Sequence, residues 1–117
     1  MPATCPEVMR AMVAAFDTGD VGEAAAVVHP GYLDHQGLPG ERPISGVDGF
    51  VHVVETARSG YDDLSVSVVD LIEGSDWAAA RIAWHGRLPS GAIVRHETID
   101  IIRVEAGKAV EHWGERS

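Results

Sequence analysis

A chain of 117 residues suits a single domain spanning 1–117. With 18 Asp and Glu against 9 Lys and Arg, its net charge of −9 argues against nucleic-acid binding, which needs clustered cations to neutralise phosphates. No stretch approaches the roughly 20 apolar residues of a membrane span, the N-terminus lacks the basic start and apolar run of a secretion signal, and the lone Cys5 offers neither an internal disulfide nor a Cys-rich zinc site, so the expectation is a cytoplasmic protein with no metal and no cofactor.

The first half reads as helices. Thr4 and Glu7 have capping-box spacing with Pro6 in the first turn. Val8, Met9, Met12, Val13 and Phe16 then recur at helical spacing, and Asp17-Thr18-Gly19-Asp20 ends the helix. Asp20 and Glu23 repeat the capping-box spacing ahead of a short Ala-rich helix that stops near His29-Pro30. Gly31 to Ile44 is polar and rich in Gly and Pro, with room for a short strand at Tyr32-Leu33-Asp34-His35. A third helix starts at Ser45-Gly46 and carries Phe50, Val51, Val54 and Ala57 on one side.

The second half reads as strands. Leu64 to Glu73 alternates Leu64, Val66 and Val68 against Ser65 and Ser67. After the turn Glu73-Gly74-Ser75-Asp76 come Trp77 to Leu88, the turn Pro89-Ser90-Gly91 and Ala92 to Val104. The hairpin signal Ala106-Gly107 leads into Lys108 to Trp113. Helices followed by an antiparallel meander predict an α+β fold with the helices on one face of a curved sheet.

Alternate residues of a strand share a face. The even face of Ala92 to Val104 reads Val94, His96, Thr98, Asp100, Ile102, Val104: apolar at its ends and polar in the middle. A solid core has little use for Asp and His, and a solvated face has little use for Val and Ile, whereas a half-dry cavity accepts both. With the preceding turn centred on Ser90, Trp84 falls opposite His96 and Ala80 opposite Asp100. Across the next hairpin, a two-residue turn puts Trp113 opposite Asp100, and a three-residue loop puts His112 there. A carboxylate that loses hydration in an apolar pocket becomes a better general base. Asp100 is therefore the candidate base for removing a proton beside a carbonyl, with His96 or His35 polarising the oxygen that gains charge. The rival reading pairs Asp100 with Arg81 or Arg103. Tyr32, Phe50, Trp84, Trp113 and His112 are the candidate substrate-binding walls. On the opposite face, Ile99 and Ile101 stand between charges, an apolar stripe that predicts a homodimer.

The tail Ile99-Asp100-Ile101-Ile102-Arg103-Val104-Glu105-Ala106-Gly107-Lys108-Ala109-Val110-Glu111-His112-Trp113 resembles the signature D-I-x-R-x-x-x-G-K-x-x-E-H-W of the SnoaL-like polyketide cyclases. His29-Pro30-Gly31-Tyr32-Leu33-Asp34-His35 resembles a second element of that family. The resemblance implies the nuclear-transport-factor-two-like (cystatin-like) fold, a cone-shaped barrel of curved sheet packed on N-terminal helices. It implies a cofactor-free aldol-type ring closure of a polyketide-like or other hydrophobic carbonyl substrate, with Asp100 as acid/base and His35 as a pocket histidine. Asp34 is the rival base, by its place relative to the base of ketosteroid isomerases. Tyr32 and Asp34 share a strand face and His35 lies on the other, so a regular strand does not turn both sets inward. Two alternatives stand beside the cyclase: an epoxide hydrolase-like or other rearrangement in the same pocket, and a non-catalytic, dimeric ligand-binding module. The absence of any Asn counts against the usual hydrolase site.

Overall fold

The computed structural model describes residues 2–36 and 44–116; the segment 37–43, which holds most of the Gly/Pro-rich stretch, lies outside them. Helix α1 (Cys5–Thr18) opens on the expected capping box. Thr4 Oγ1 accepts from the Glu7 N–H at 3.3 Å, and the Glu7 carboxylate accepts from the Thr4 N–H at 2.9 Å. The helix closes on Gly19 at φ 82°, a left-handed conformation that favours glycine. The second capping box does not form. Asp20 Oδ1 turns back onto the N–H of Gly22 at 2.9 Å, and α2 (Gly22–Ala26) starts after Val21 without a side-chain cap.

Strand β1 (Val28–Asp34) is longer than the sequence allowed for. A two-residue strand, β2 (Ile44–Ser45), follows, and then α3 (Gly46–Ser59). Next come β3 (Asp63–Glu73), β4 (Trp77–Arg87), β5 (Ile93–Glu105) and β6 (Lys108–Arg116). The sheet order is β2-β1-β6-β5-β4-β3. The last four strands form the expected meander, but β1 pairs parallel to β6, so the sheet is mixed.

Helices α1 and α3 lay Val8, Met9, Met12, Val13, Phe50 and Val54 against Leu64, Val66, Ala80, Ile82, Ile102 and Val104 of the sheet, all buried. Each of these side chains larger than alanine contributes roughly 1.5–3 kcal/mol relative to exposure. The C-terminal end of α1 is clamped from two sides. Arg58 Nη1 donates to the Phe16 and Asp17 carbonyls, and Asp17 Oδ1 accepts from the Val66 N–H at 2.8 Å.

The β4–β5 register is the expected one, with Trp84 opposite His96 and Ala80 opposite Asp100. The β5–β6 register is neither of the two alternatives. The turn has two residues, Ala106 at φ 50° and Gly107 at φ 77°, so Glu105 pairs with Lys108 and Val104 with Ala109. The register then shifts, and Arg103 pairs with Glu111. The extra residue is Val110, a β-bulge at which Ala109 and Val110 are both buried. Beyond it every side chain of β6 is turned over: His112 joins the face of Ile102 and Asp100, Gly114 falls opposite Asp100, and Trp113 turns outward.

Candidate active site

Between the helices and the concave face of the sheet lies a cavity of about 340 Å³. Met9, Met12, Val13 and Phe16 of α1, Phe50 and Val53 of α3, and Val66, Ile82 and Ile102 of the sheet make it apolar. Polar groups converge from one side: Tyr32 and Asp34 from β1, Trp84 from β4, His96, Thr98 and Asp100 from β5, and His112 from β6.

The centre of that polar wall is His112. Its Nδ1 lies 2.8 Å from Asp34 Oδ1, and its Nε2 lies 2.7 Å from Asp100 Oδ2. All three side chains are largely buried, with 12%, 6% and 12% exposure for His112, Asp34 and Asp100. Burial opposes the charged ring, but the hydrogen bonds to Asp100 and Asp34 and their negative charge outweigh it, lifting His112 from 6.5 to about 9. At neutral pH the ring is therefore an imidazolium that donates from both nitrogens to two carboxylates.

Asp100 has a second anchor. Thr98, two residues away on the same face, lies with Oγ1 2.6 Å from Asp100 Oδ1, and Trp84 Nε1 lies 3.1 Å from the same hydroxyl. An indole N–H only donates. The hydroxyl therefore accepts from Trp84 and donates its own hydrogen bond to Asp100, which fixes the direction of the chain. Trp84 is held in turn by Phe16 edge-on at 5.4 Å and by His96 stacked at 5.8 Å with planes 6° apart. Asp34 is fixed from its own chain, its Oδ1 accepting from the Gln36 N–H at 2.9 Å.

Tyr32, Asp34, Phe50, Trp84, His96, Asp100 and His112 all line the cavity. His35 and Trp113 do not, which corrects their expected place in the pocket. Strand alternation sends His35 outward, and the Val110 bulge does the same to Trp113. The two rings stack on the outer face at 5.0 Å with planes 10° apart. There His35 Nε2 meets Glu111 Oε2 at 2.8 Å and Arg103 Nε meets Glu111 Oε1 at 2.7 Å, which hold the Glu111 carboxyl below its ordinary range. Neither arginine reaches Asp100: Arg81 pairs with Asp70 and Glu97, and Arg103 with Glu105 and Glu111. Sequence reasoning missed Thr98 as the anchor of Asp100, although it stands in the same even-face reading. It also missed the bridging position of His112, which depends on the bulge.

Among the described residues no group of three or more His, Cys, Asp and Glu side chains has the arrangement to hold a metal ion, and no helix is long and apolar enough to cross a membrane.

Helices over a curved six-stranded sheet that encloses one apolar cavity with a polar wall define the nuclear-transport-factor-two-like fold. Among solved structures, TsrD from Streptomyces laurentii superposes with a TM-score of 0.82 at 28% identity, covering 96% of this chain and 87% of that one. IdmH from Streptomyces antibioticus superposes with 0.83 at 20% identity, covering 97% and 92%. At the level of sequence, residues 6–116 match the SnoaL-like polyketide cyclase family, and the chain belongs to it. A curated relative is the aklanonic acid methyl ester cyclase AcmA of Streptomyces galilaeus, 25% identical over 89% of this chain and 78% of its own length.

Proposed function

We propose that the chain is a cyclase or isomerase that uses Asp100 as general acid/base on a hydrophobic, polyketide-like carbonyl compound, working through its own side chains. The observation that carries this reading is the Asp100 carboxylate, largely buried on the wall of an apolar cavity and held at one oxygen by Thr98 and at the other by His112. In the first step Asp100 takes a proton from the carbon beside a carbonyl, and the C–H electron pair moves into an enolate. That carbon attacks a second carbonyl of the same molecule and forms the ring C–C bond. Asp100 then returns its proton to the new alkoxide. The product is an isomer of the substrate, so no other reactant is consumed. A positioned acid/base of this kind is worth about 10²–10⁴-fold in rate.

Asp34 is the positioning partner in this reading. It accepts from Nδ1 of His112, so the ring presents Nε2 to Asp100. Favouring Asp100 over Asp34 as base is Gly114, opposite Asp100, which adds no side chain of its own beside Asp100 Oδ2 and Gln36. The test is incubation of wild type and Asp100→Asn with aromatic β-dicarbonyl compounds in deuterated water, read by mass spectrometry. Deuterium uptake or an isomeric product with wild type alone is the expected result; unchanged compounds with both proteins contradict it.

The same proposal includes self-association through the outer face of the sheet. Along β5 that face reads Arg95, Glu97, Ile99, Ile101, Arg103, Glu105, with the two isoleucines each 40% exposed. The charges are antisymmetric about the Ile99–Ile101 midpoint. A second copy packed antiparallel about a two-fold axis there sets Glu97 against Arg103 and Arg95 against Glu105, with isoleucine on isoleucine between them.

A further inference from the structure

The hydroxyl of Tyr32 has no role in the hydrogen-bond network built around His112. Tyr32 is 1% exposed, and its ring is braced edge-on by Phe50 at 6.2 Å and 88°. Its side chain lines the cavity on the same wall as Asp34 and Asp100. Among the described residues no group hydrogen-bonds to its oxygen, and that oxygen keeps access to the cavity. Burial raises its pKa, and the nearby Asp34 and Asp100 carboxylates raise it further, so the group stays a protonated phenol that can donate. A hydroxyl shut away from bulk water without an acceptor is unfavourable. When a ligand displaces water from the cavity, the ligand must supply that acceptor.

We infer that the Tyr32 hydroxyl is the hydrogen-bond donor that receives the carbonyl oxygen of the substrate beside Asp100 and holds the charge that builds on it. The inference deepens the acid/base reading and rests on it: as Asp100 takes the proton from carbon, the electron pair arrives on the oxygen that Tyr32 holds. His96 and His35 were the expected groups for this task. His35 is outside the cavity, and His96, which does line it, stands four residues along β5 from Asp100, roughly 13 Å away at the rise of a strand. Tyr32 is anchored on β1 and braced by Phe50, so the donor is in place before charge develops, the condition under which such groups help most. It also sets specificity, because a site with a built-in donor discriminates against ligands that lack the matching oxygen.

The test compares wild type and Tyr32→Phe in binding two probes of matching size, acetylnaphthalene and isopropylnaphthalene. The ketone is expected to bind the variant about tenfold more weakly than wild type, and the hydrocarbon equally well. Because the lost hydroxyl has no protein partner, the variant is expected to melt at or above the wild-type temperature. Its kcat on a cyclising β-dicarbonyl is expected to fall about 10²-fold with little change in KM. Equal ketone binding by both proteins, or a lowered melting temperature with parallel loss of binding to both probes, overturns the inference. A wild type that binds the ketone Tyr32-dependently but exchanges no deuterium into substrate overturns the acid/base reading and keeps Tyr32 as the carbonyl donor.

Discussion

Gly114 lies directly across from Asp100 on the neighbouring strand, and a methyl group in its place would stand 2.7 Å from Asp100 Oδ2 and 2.6 Å from Gln36 Oε1. The same Oδ2 is the atom that meets His112 Nε2. Gly114 is not among the residues with positive φ, so the backbone itself accepts any side chain. What the glycine provides is room for the carboxylate.

Gly114→Ala should therefore fold and yet work poorly. The methyl forces the ends of Asp100 and Gln36 aside, and the Asp100–His112 contact is the one displaced. Misplacement by about 1 Å costs on the order of 10²-fold in rate. Steady-state kinetics beside a melting curve checks this: kcat should fall with the fold intact.

His112 should make stability depend on alkaline pH. Its pKa is raised on folding from 6.5 to about 9, so the protonated ring stabilises the native state fully below pH 6.5, and that contribution is lost as pH climbs through about 9. The difference corresponds to roughly 3 kcal/mol. Urea unfolding at a series of pH values should show wild type weakening over that window. His112→Gln, lower at neutral pH, should be nearly flat across it.

Thr98→Val keeps the shape of the side chain and removes the hydroxyl between Trp84 and Asp100. It leaves the half-buried indole N–H without its acceptor and one oxygen of Asp100 without its donor. The expected cost is about 1–3 kcal/mol in stability, together with a lower kcat. Thr98→Ser, which restores the hydroxyl, should recover most of both.

The outer sheet face should be sensitive to charge at its centre. Ile101→Arg places a cation next to the proposed two-fold axis, beside Arg103 and on the sheet face away from the cavity. Sedimentation should show wild type as a dimer and the variant as a monomer that keeps turnover; a variant that still dimerises would exclude this face.

Much of the site could be read from strand alternation, and what could not be read has a specific cause. Pro89-Ser90-Gly91 fixes the β4–β5 turn, so the opposition of Trp84 with His96 and of Ala80 with Asp100 follows from counting. The same period predicts that Tyr32 and Asp34 share one face of β1 and His35 the other. The Val110 bulge carries no comparable signal. Ala, Val and Glu in succession suit a regular strand, yet the inserted residue reverses every later side chain of β6 and exchanges Trp113 for His112 in the pocket. The parallel pairing of β1 with β6 joins segments distant in sequence, and no local pattern encodes it. Asp20 and Glu23 have the spacing of a capping box, but Asp20 bonds two residues on instead, a competing geometry open to any Asp.

The most direct test of the central claim is the rate of solvent deuterium exchange into an aromatic β-dicarbonyl, measured side by side for wild type, Asp100→Asn and Asp34→Asn. The account predicts that Asp100→Asn falls to the rate of the compound in buffer, a loss of about 10²–10⁴-fold, while Asp34→Asn, which loosens His112 and leaves the base in place, retains exchange well above that background. Exchange that survives in Asp100→Asn and vanishes in Asp34→Asn would contradict it and make Asp34 the base.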